Sequence, residues 1–427
     1  MTSKTLRVGM LGYGTVGSGA YRMIRDNQQA IQRKTGLSVE VVKIGIRDLS
    51  KERELPKEIF TADLCSIVDD PGIDVVLELI GGIDPAAELV ERALQNGKNV
   101  VLANKELMAK HGSRLVGLAK SKNLDLHYEA AVGGGIPLVQ PLKHQLAGND
   151  VLSMRGILNG TTNYILTAME QEGADFADVL ADAQAKGYAE ADPTNDVDGF
   201  DTVYKIAILA SIVYGRQVPV EEVYREGIRK VSRVDMEYAG RLGYRIKLLG
   251  VVDALLDESV RVRVHPSLVP LAHPLASVSG VYNALWLHGD FVGDVMFSGR
   301  GAGSDPTASA VIGDLIDVAR NVAVGGQGSA IPYGTGMKTE GIESLTTPYY
   351  LRLIVQDRPM VLGQISMEFG RHNVSLAAME MKVLEEGRGE IVFLTHPCVE
   401  KSFHDALAQL RRQQIVEEIA NAFRVVD

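Results

Sequence analysis

One short run near the start, 12 GYGTVG 17, limits the fold more than any other feature of the chain. It follows an apolar run from Leu6 to Leu11 that predicts a strand, and it opens a helical pattern with Val16, Ala20, Met23 and Ile24 on one face. A GxGxxG alone marks a turn, but between strand and helix it meets the context a dinucleotide site requires. Gly12 permits the tight turn, Gly14 lets backbone approach a pyrophosphate, and Gly17 lets helix and strand pack closely. The helix N-terminus then offers free N–H groups to the phosphates. Gly12, Tyr13, Gly14, Thr15, Val16 and Gly17 are therefore the cofactor-turn candidates, against the bland alternative of a plain βα turn. Short β-rich runs alternate with helical patterns through the first 150 residues, which predicts a parallel α/β sheet.

Cofactor choice should show at the end of the second strand, 39 VEVVKIGIRD 48. An acid there suits a ribose 2′-OH and an arginine suits a 2′-phosphate. Arg47, followed by Asp48 and Lys51, leans towards NADP with tolerance of NAD; the alternative is a solvated charged loop. Lys105 falls where a strand ends and a helix begins, the carboxyl edge at which open α/β sheets hold ligands. A cation at the positive end of a helix dipole calls for an anionic neighbour, unless it is simply a surface lysine.

The chain has 427 residues, enough for two or three domains. A formal charge of -10 argues against a nucleic-acid or acidic-membrane partner. No apolar run approaches the roughly 20 residues of a membrane span. The two cysteines, Cys65 and Cys398, form no disulfide framework, and the N-terminus enters a strand with no signal-peptide pattern. The expectation is a cytoplasmic protein.

Past residue 124 the pattern changes. In 128 YEAAVGGGIP 137, three glycines and a proline mark a turn that exposes backbone. Its carbonyls, with the Glu129 carboxylate nearby, suit a hard cation, and a hinge between domains is the equal alternative. In 157 ILNGTTNYILTAME 170 a polar run opens a helix on an N-cap and can also display hydroxyls and amides to a small substrate.

The stretch 187 GYAEADPTNDVDGFDTVYKIAILA 210 is acidic and then almost wholly apolar. A calcium loop is excluded: Gly199 in its sixth position would put Thr194 first and Lys205 twelfth, where carboxylates are needed. Asp201 and Lys205 share a helix face. Exposed, such a pair means little. In an apolar helix, a part-buried lysine is costly for structure and useful for acid–base chemistry.

Taken in order and spacing, GYGTVG, ANKELMA, EAAVGGGIP, ILNGTTNYIL, the acidic stretch and 283 NALWLHGDFVGDVMFSGRGAGSDPTASAVIGDL 315 resemble homoserine dehydrogenase across essentially the whole chain. The resemblance implies NAD(P)-dependent interconversion of L-homoserine and L-aspartate 4-semialdehyde, on the route to threonine, methionine and isoleucine. It implies Lys205 as the acid–base residue and Lys105 touching both cofactor and substrate. Glu190 and Asp201 would bind the substrate, with Asp196 and Thr161 as further candidates. Gly187 and Gly303 would line the cofactor. Glu129, Val132, Gly134 and Ile136 match the family's sodium site, the last three through backbone carbonyls alone.

The last 80 residues predict the order βαββαβ, which is ferredoxin-like. With 357 DRPMVLGQI 365 at the first strand–helix junction, this unit resembles an ACT domain, an amino-acid-binding regulatory module. Met360 departs from it, standing where many such loops carry glycine. The resemblance implies a homodimer or homotetramer and threonine as effector. The expected architecture is α/β: a Rossmann-type nucleotide-binding domain over 1–135, an α+β catalytic and dimerisation domain over 136–320 whose end returns to the nucleotide domain, a linker over 321–347, and the ACT domain over 348–427. Two rivals are a semialdehyde dehydrogenase working through a cysteine thioester and a non-catalytic amino-acid sensor that kept the nucleotide fold.

Overall fold

The computed structural model describes residues 5–326 and 330–426. The chain forms two compact units, each assembled from three separated segments. The first holds Met1–Met154, Tyr204–Glu221 and Asn283–Lys338; the second holds Arg155–Val203, Glu222–Tyr282 and Thr339–Asp427.

The first unit carries a six-stranded sheet in the order Phe60–Thr61, Ser38–Gly45, Thr5–Leu11, Val75–Glu78, Asn99–Leu102, Leu126–His127. Every pair is parallel. Numbered along the chain the order is 3-2-1-4-5-6, the doubly wound nucleotide-binding arrangement. Parallel strands covered on both faces read as continuous apolar runs, and all four residues of Val75–Glu78 are buried. The strand order reverses beside Thr5–Leu11, so the GYGTVG turn leaves the sheet at the crevice where such folds take ligands. One layer of this core comes from far along the chain. The helix Ser304–Ala323 puts Val311, Ile312 and Leu315 into the same cluster as Val8, Met10, Ala20 and Ile24. Gly19 permits the approach, since a Cβ there would meet Ser304 Oγ at 2.6 Å.

In the second unit, two eleven-residue antiparallel strands, Tyr244–Ala254 and Val260–Pro270, are followed in the sheet by Val416–Val425, Tyr349–Gln356, Arg388–Thr395 and Leu376–Val383. The last four strands, with helices Val361–Arg371 and Glu400–Leu410, run βαββαβ in the spatial order 4-1-3-2, which is the ferredoxin-like arrangement. Alternate apolar residues build their core: Leu351, Leu353, Ile391 and Phe393 from strands, Ile365, Phe369 and Phe403 from helices. A parallel pairing, Ser267 with Arg424 and Leu268 with Val425, joins this layer to the long hairpin.

One predicted boundary moves. The second strand stops at Gly45, leaving Arg47 and Asp48 on a loop. The Asp48 carboxylate accepts from Ser50 N at 2.9 Å and Ser50 Oγ at 2.6 Å, a local turn that competes with the sheet ladder. The final strand runs over Val416–Val425, and residue 427 lies outside the described residues.

Candidate active site

In the first unit the nucleotide turn is built by exclusion of side chains. Gly12 sits at φ 107, and a Cβ there would meet the Leu79 carbonyl at 2.8 Å. A Cβ on Gly17 would overlap the Gly12 carbonyl. Gly14 differs, for a Cβ there would meet nothing, so the open side of the turn faces space that a ligand can take. Gly14 also caps the helix Thr15–Asp26, whose first turn carries neither a capping side chain nor an acid. The helix Ser304–Ala323 also starts without a side-chain cap, at Gly303 with φ 117, and the acid in its first turn, Asp305, is paired with Arg22. Ser304 Oγ donates to the Thr15 carbonyl at 2.8 Å, so two uncapped helix starts adjoin. Unsatisfied N–H groups at two converging helix ends suit a polyanion such as a pyrophosphate.

Arg47 is exposed beyond the strand end, and Ser50 holds the Asp48 carboxylate below the usual range. Lys105 is the first residue of the helix Lys105–Ser121 and is half-buried. The preceding Asn104 accepts from Leu107 N at 3.1 Å and donates to the Gly82 carbonyl at 2.6 Å, tying this helix start to the turn after Val75–Glu78. Sequence reasoning passed over Asn104, although an asparagine directly before a predicted helix start is the available signal.

The Glu129 carboxylate accepts from Leu138 N at 2.6 Å, Val139 N at 2.8 Å and Gln140 N at 2.7 Å. It therefore caps the short helix Val139–Lys143. Around it, a Cβ on Gly134 would collide with Gly301, and one on Gly301 would overlap Asn283. Both polar atoms of the buried Asn283 amide lack a hydrogen-bond partner among the described residues. Burial pushes the nearby Asp314 carboxyl up to about 6, although it accepts from Glu129 N at 2.8 Å.

In the second unit the acidic stretch folds onto the start of the helix Gly160–Glu172. Asn159 caps that helix through Oδ1, accepting from Thr162 N at 2.8 Å. Its Nδ2 donates to Asp196 Oδ1 at 2.7 Å and Asp201 Oδ2 at 2.9 Å. One amide thus draws two carboxylates together. Thr161 Oγ1 donates to the Tyr188 carbonyl at 2.7 Å, fixing the loop that carries Gly187, at φ 74, and the exposed Glu190. The short helix Thr194–Val197 places Asp196, and Gly199 at φ 84 turns the chain into Phe200–Tyr214. Gly199 leaves little room, as a Cβ would meet Val264 Cγ1 at 3.2 Å.

Phe200–Tyr214 is the apolar helix. Asp201 is 2% exposed and Lys205 8% exposed, so this acid and this ammonium lie one turn apart and out of bulk water. The structure thus clusters Asn159, Asp196 and Asp201 in the second unit, and gathers GYGTVG and Gly303 in the first. The cysteines lie elsewhere. Cys398 belongs to the C-terminal core, where burial pushes its thiol up, and Cys65 meets Arg92 at 3.7 Å. A thioester mechanism lacks its nucleophile at the nucleotide turn.

Three family models match the chain in succession: the homoserine dehydrogenase NAD-binding domain over 12–129, the homoserine dehydrogenase domain over 137–316, and the ACT domain over 349–413. A homoserine dehydrogenase of Synechocystis is 44% identical across 99% of this chain and 100% of that protein. The crystal structure of a homoserine dehydrogenase from Thiobacillus denitrificans superposes with a TM-score of 0.93 at 40% identity, covering 99% of each chain. A hyperthermophilic archaeal homoserine dehydrogenase in complex with NADPH has a TM-score of 0.64 at 27% identity, over 74% of this chain and 97% of that one.

Proposed function

The chain belongs to the homoserine dehydrogenases, NAD(P)-dependent oxidoreductases of amino-acid biosynthesis, and from that premise we propose how its residues interconvert L-homoserine and L-aspartate 4-semialdehyde. The observation that carries the proposal is the Asn159 amide holding Asp196 and Asp201 together, with Lys205 buried one turn on. The bound nicotinamide supplies or accepts the hydride. The carboxylates of Glu190, Asp196 and Asp201 face the substrate's ammonium and hydroxyl ends, with Thr161 steadying their loop. In oxidation the Lys205 amine, in its neutral form, takes the hydroxyl proton and becomes the ammonium; in reduction that ammonium stabilises the charge developing on the aldehyde oxygen and then donates the proton. Asp201, one turn earlier, orients Lys205 and stabilises its ammonium form. Lys105, at a helix start, bears on cofactor and substrate together.

NADP is the preferred cofactor in this reading, with NAD accepted, because Arg47 is exposed while Asp48 is engaged by Ser50. The NADPH bound by the archaeal relative supports the same reading. Gly187 and Gly303 line the cofactor. A monovalent cation, Na+, binds at the turn of Glu129, Val132, Gly134 and Ile136. The Glu129 carboxylate is already engaged by three N–H groups, so the carbonyls supply the ligands, and the orphaned Asn283 amide fits a polar occupant nearby. The C-terminal ACT domain takes an amino-acid effector, L-threonine in this reading, and supports a homodimer or homotetramer. The domain limits we propose are 1–135, 136–320 and 348–427, with 321–347 as linker. Two unpaired cysteines fit a cytoplasmic setting. The decisive experiment is homoserine oxidation assayed with NADP and NAD. Turnover with a lower KM for NADP is expected; no turnover with either cofactor would leave a sensor as the reading.

A further inference from the structure

We propose that the second unit carries a binding cleft for a free amino acid, separate from the 357–360 turn, and that its occupant acts on the substrate loop. The cleft encloses about 550 Å³, within the range of small-molecule sites. One wall is the helix Glu400–Leu410 with residues 419–424 of the strand Val416–Val425; the other is the segment from Tyr224 to Lys230, with Asp198 and Pro266. No residue of the 357–360 turn is among the described residues lining it.

The lining divides by chemistry as a zwitterion would require. Arg229, Lys230 and Arg411 are cationic, Asp198 and Glu226 are acidic, and Leu407 and Ile419 are apolar. Arg229 donates to Asp198 at 2.6 Å, and Glu226 accepts from Arg424 at 2.8 Å. Among the described residues, the Lys230 ammonium and the Arg411 guanidinium meet no acid. Two uncommitted cations suit an α-carboxylate, Glu226 and Asp198 suit an ammonium, and the apolar wall suits a short side chain.

The cleft also touches the substrate loop from behind. Arg229 grips both carboxylate oxygens of Asp198, at 2.6 and 3.3 Å, and reaches Thr194 Oγ1 at 3.4 Å. Ile228 N donates to the Val197 carbonyl at 2.8 Å. Arg225 donates to the Asp198 carbonyl and lies 3.6 Å from the Phe200 ring, next to Asp201. A carboxylate in the cleft competes with Asp198 for Arg229. The segment from Thr194 to Asp201 then shifts, so an occupant alters KM for homoserine more than kcat.

The proposal rests on the regulatory reading of the C-terminal domain, and its test separates the two. Full-length protein is titrated calorimetrically with L-threonine, L-methionine and L-isoleucine, as wild type, as the double variant Lys230→Glu/Arg411→Glu, and as Met360→Gly in the other loop. At least one amino acid should bind wild type and Met360→Gly equally and raise KM for homoserine. The double variant should bind it about tenfold more weakly or worse, with homoserine oxidation in its absence unchanged. Binding that survives the double charge reversal overturns the cleft, and binding lost only in Met360→Gly returns the effector to the 357–360 turn. If none of the three binds an active enzyme, both the cleft and the regulatory reading fail while the dehydrogenase reading stands.

Discussion

An ammonium 8% exposed in an otherwise apolar helix costs stability, and its one-turn spacing from Asp201 is what makes chemistry the better account of Lys205. Lys205→Ala should lower kcat on the order of 10²–10⁴-fold while cofactor affinity, measured by fluorescence titration, barely moves. Near-normal turnover in a folded variant would remove Lys205 from the mechanism. Asn159 has two duties, and Asn159→Asp separates them: the acceptor that caps the helix survives, but the donor joining Asp196 to Asp201 is replaced by a third carboxylate. KM for homoserine should rise by roughly tenfold or more, and the melting temperature should fall, because three carboxylates then crowd a buried site; an unchanged KM would show that the clustering is incidental to substrate binding. Arg47→Ala should raise KM for NADP more than for NAD, and equal changes would mean that Arg47 does not read the 2′-phosphate. Lys205 and the glycine turn were legible because their oddity is local: a charge in an apolar run, glycines between a strand and a helix. Asn159 was legible only as a cap. Its free amide donor acquires a role only when residues 37 and 42 positions later fold back onto it.

Whole elements were read more fully than their ends, because periodicity marks the middle of a helix or strand and local turns decide where it stops. The βαββαβ order could be read from alternation alone, yet nothing local announces that the final strand also pairs with Val260–Pro270. That junction is held by Arg424, which donates to Glu400 Oε1 at 2.5 Å and to Glu226 at 2.8 Å. Burial alone would raise the Glu400 carboxyl, but hydrogen bonds from His404 and Arg424, together with the Arg424 charge, bring it down to about 2. An acid whose folded value lies below its ordinary value of 4.5 adds stability at neutral pH. That contribution is lost as pH falls from about 4.5 through about 2. Glu400→Gln should therefore be less stable at pH 7, by roughly 3 kcal/mol. Its stability should also vary less than that of wild type across that acid window. Parallel pH–stability curves for the two proteins would show that Glu400 does not carry the acid sensitivity.

At the scale of the molecule, the second unit depends on its C-terminal layer. Asp235, fully buried and part of the capping box of Arg233–Arg241, meets Arg352 at 2.7 Å, the Tyr350 hydroxyl at 3.0 Å and the Asn421 amide. Ending the chain near residue 345 strips all three away and also unpairs the strand Val260–Pro270 from Val416–Val425. The shortened protein should therefore melt well below the full chain; an unshifted melting curve for the truncation would contradict this. The first unit has a different dependence, set by Ser304–Ala323 covering a sheet whose last strand ends at His127. During synthesis that sheet leaves the ribosome roughly 180 residues before its covering helix. At roughly 5–20 residues per second the delay is on the order of ten seconds to half a minute. For that interval Val8, Met10 and Ile24 lack the layer that Val311, Ile312 and Leu315 will supply, so that part of the apolar face is open to any neighbour on the same polysome and a trigger for chaperone capture until the late helix emerges.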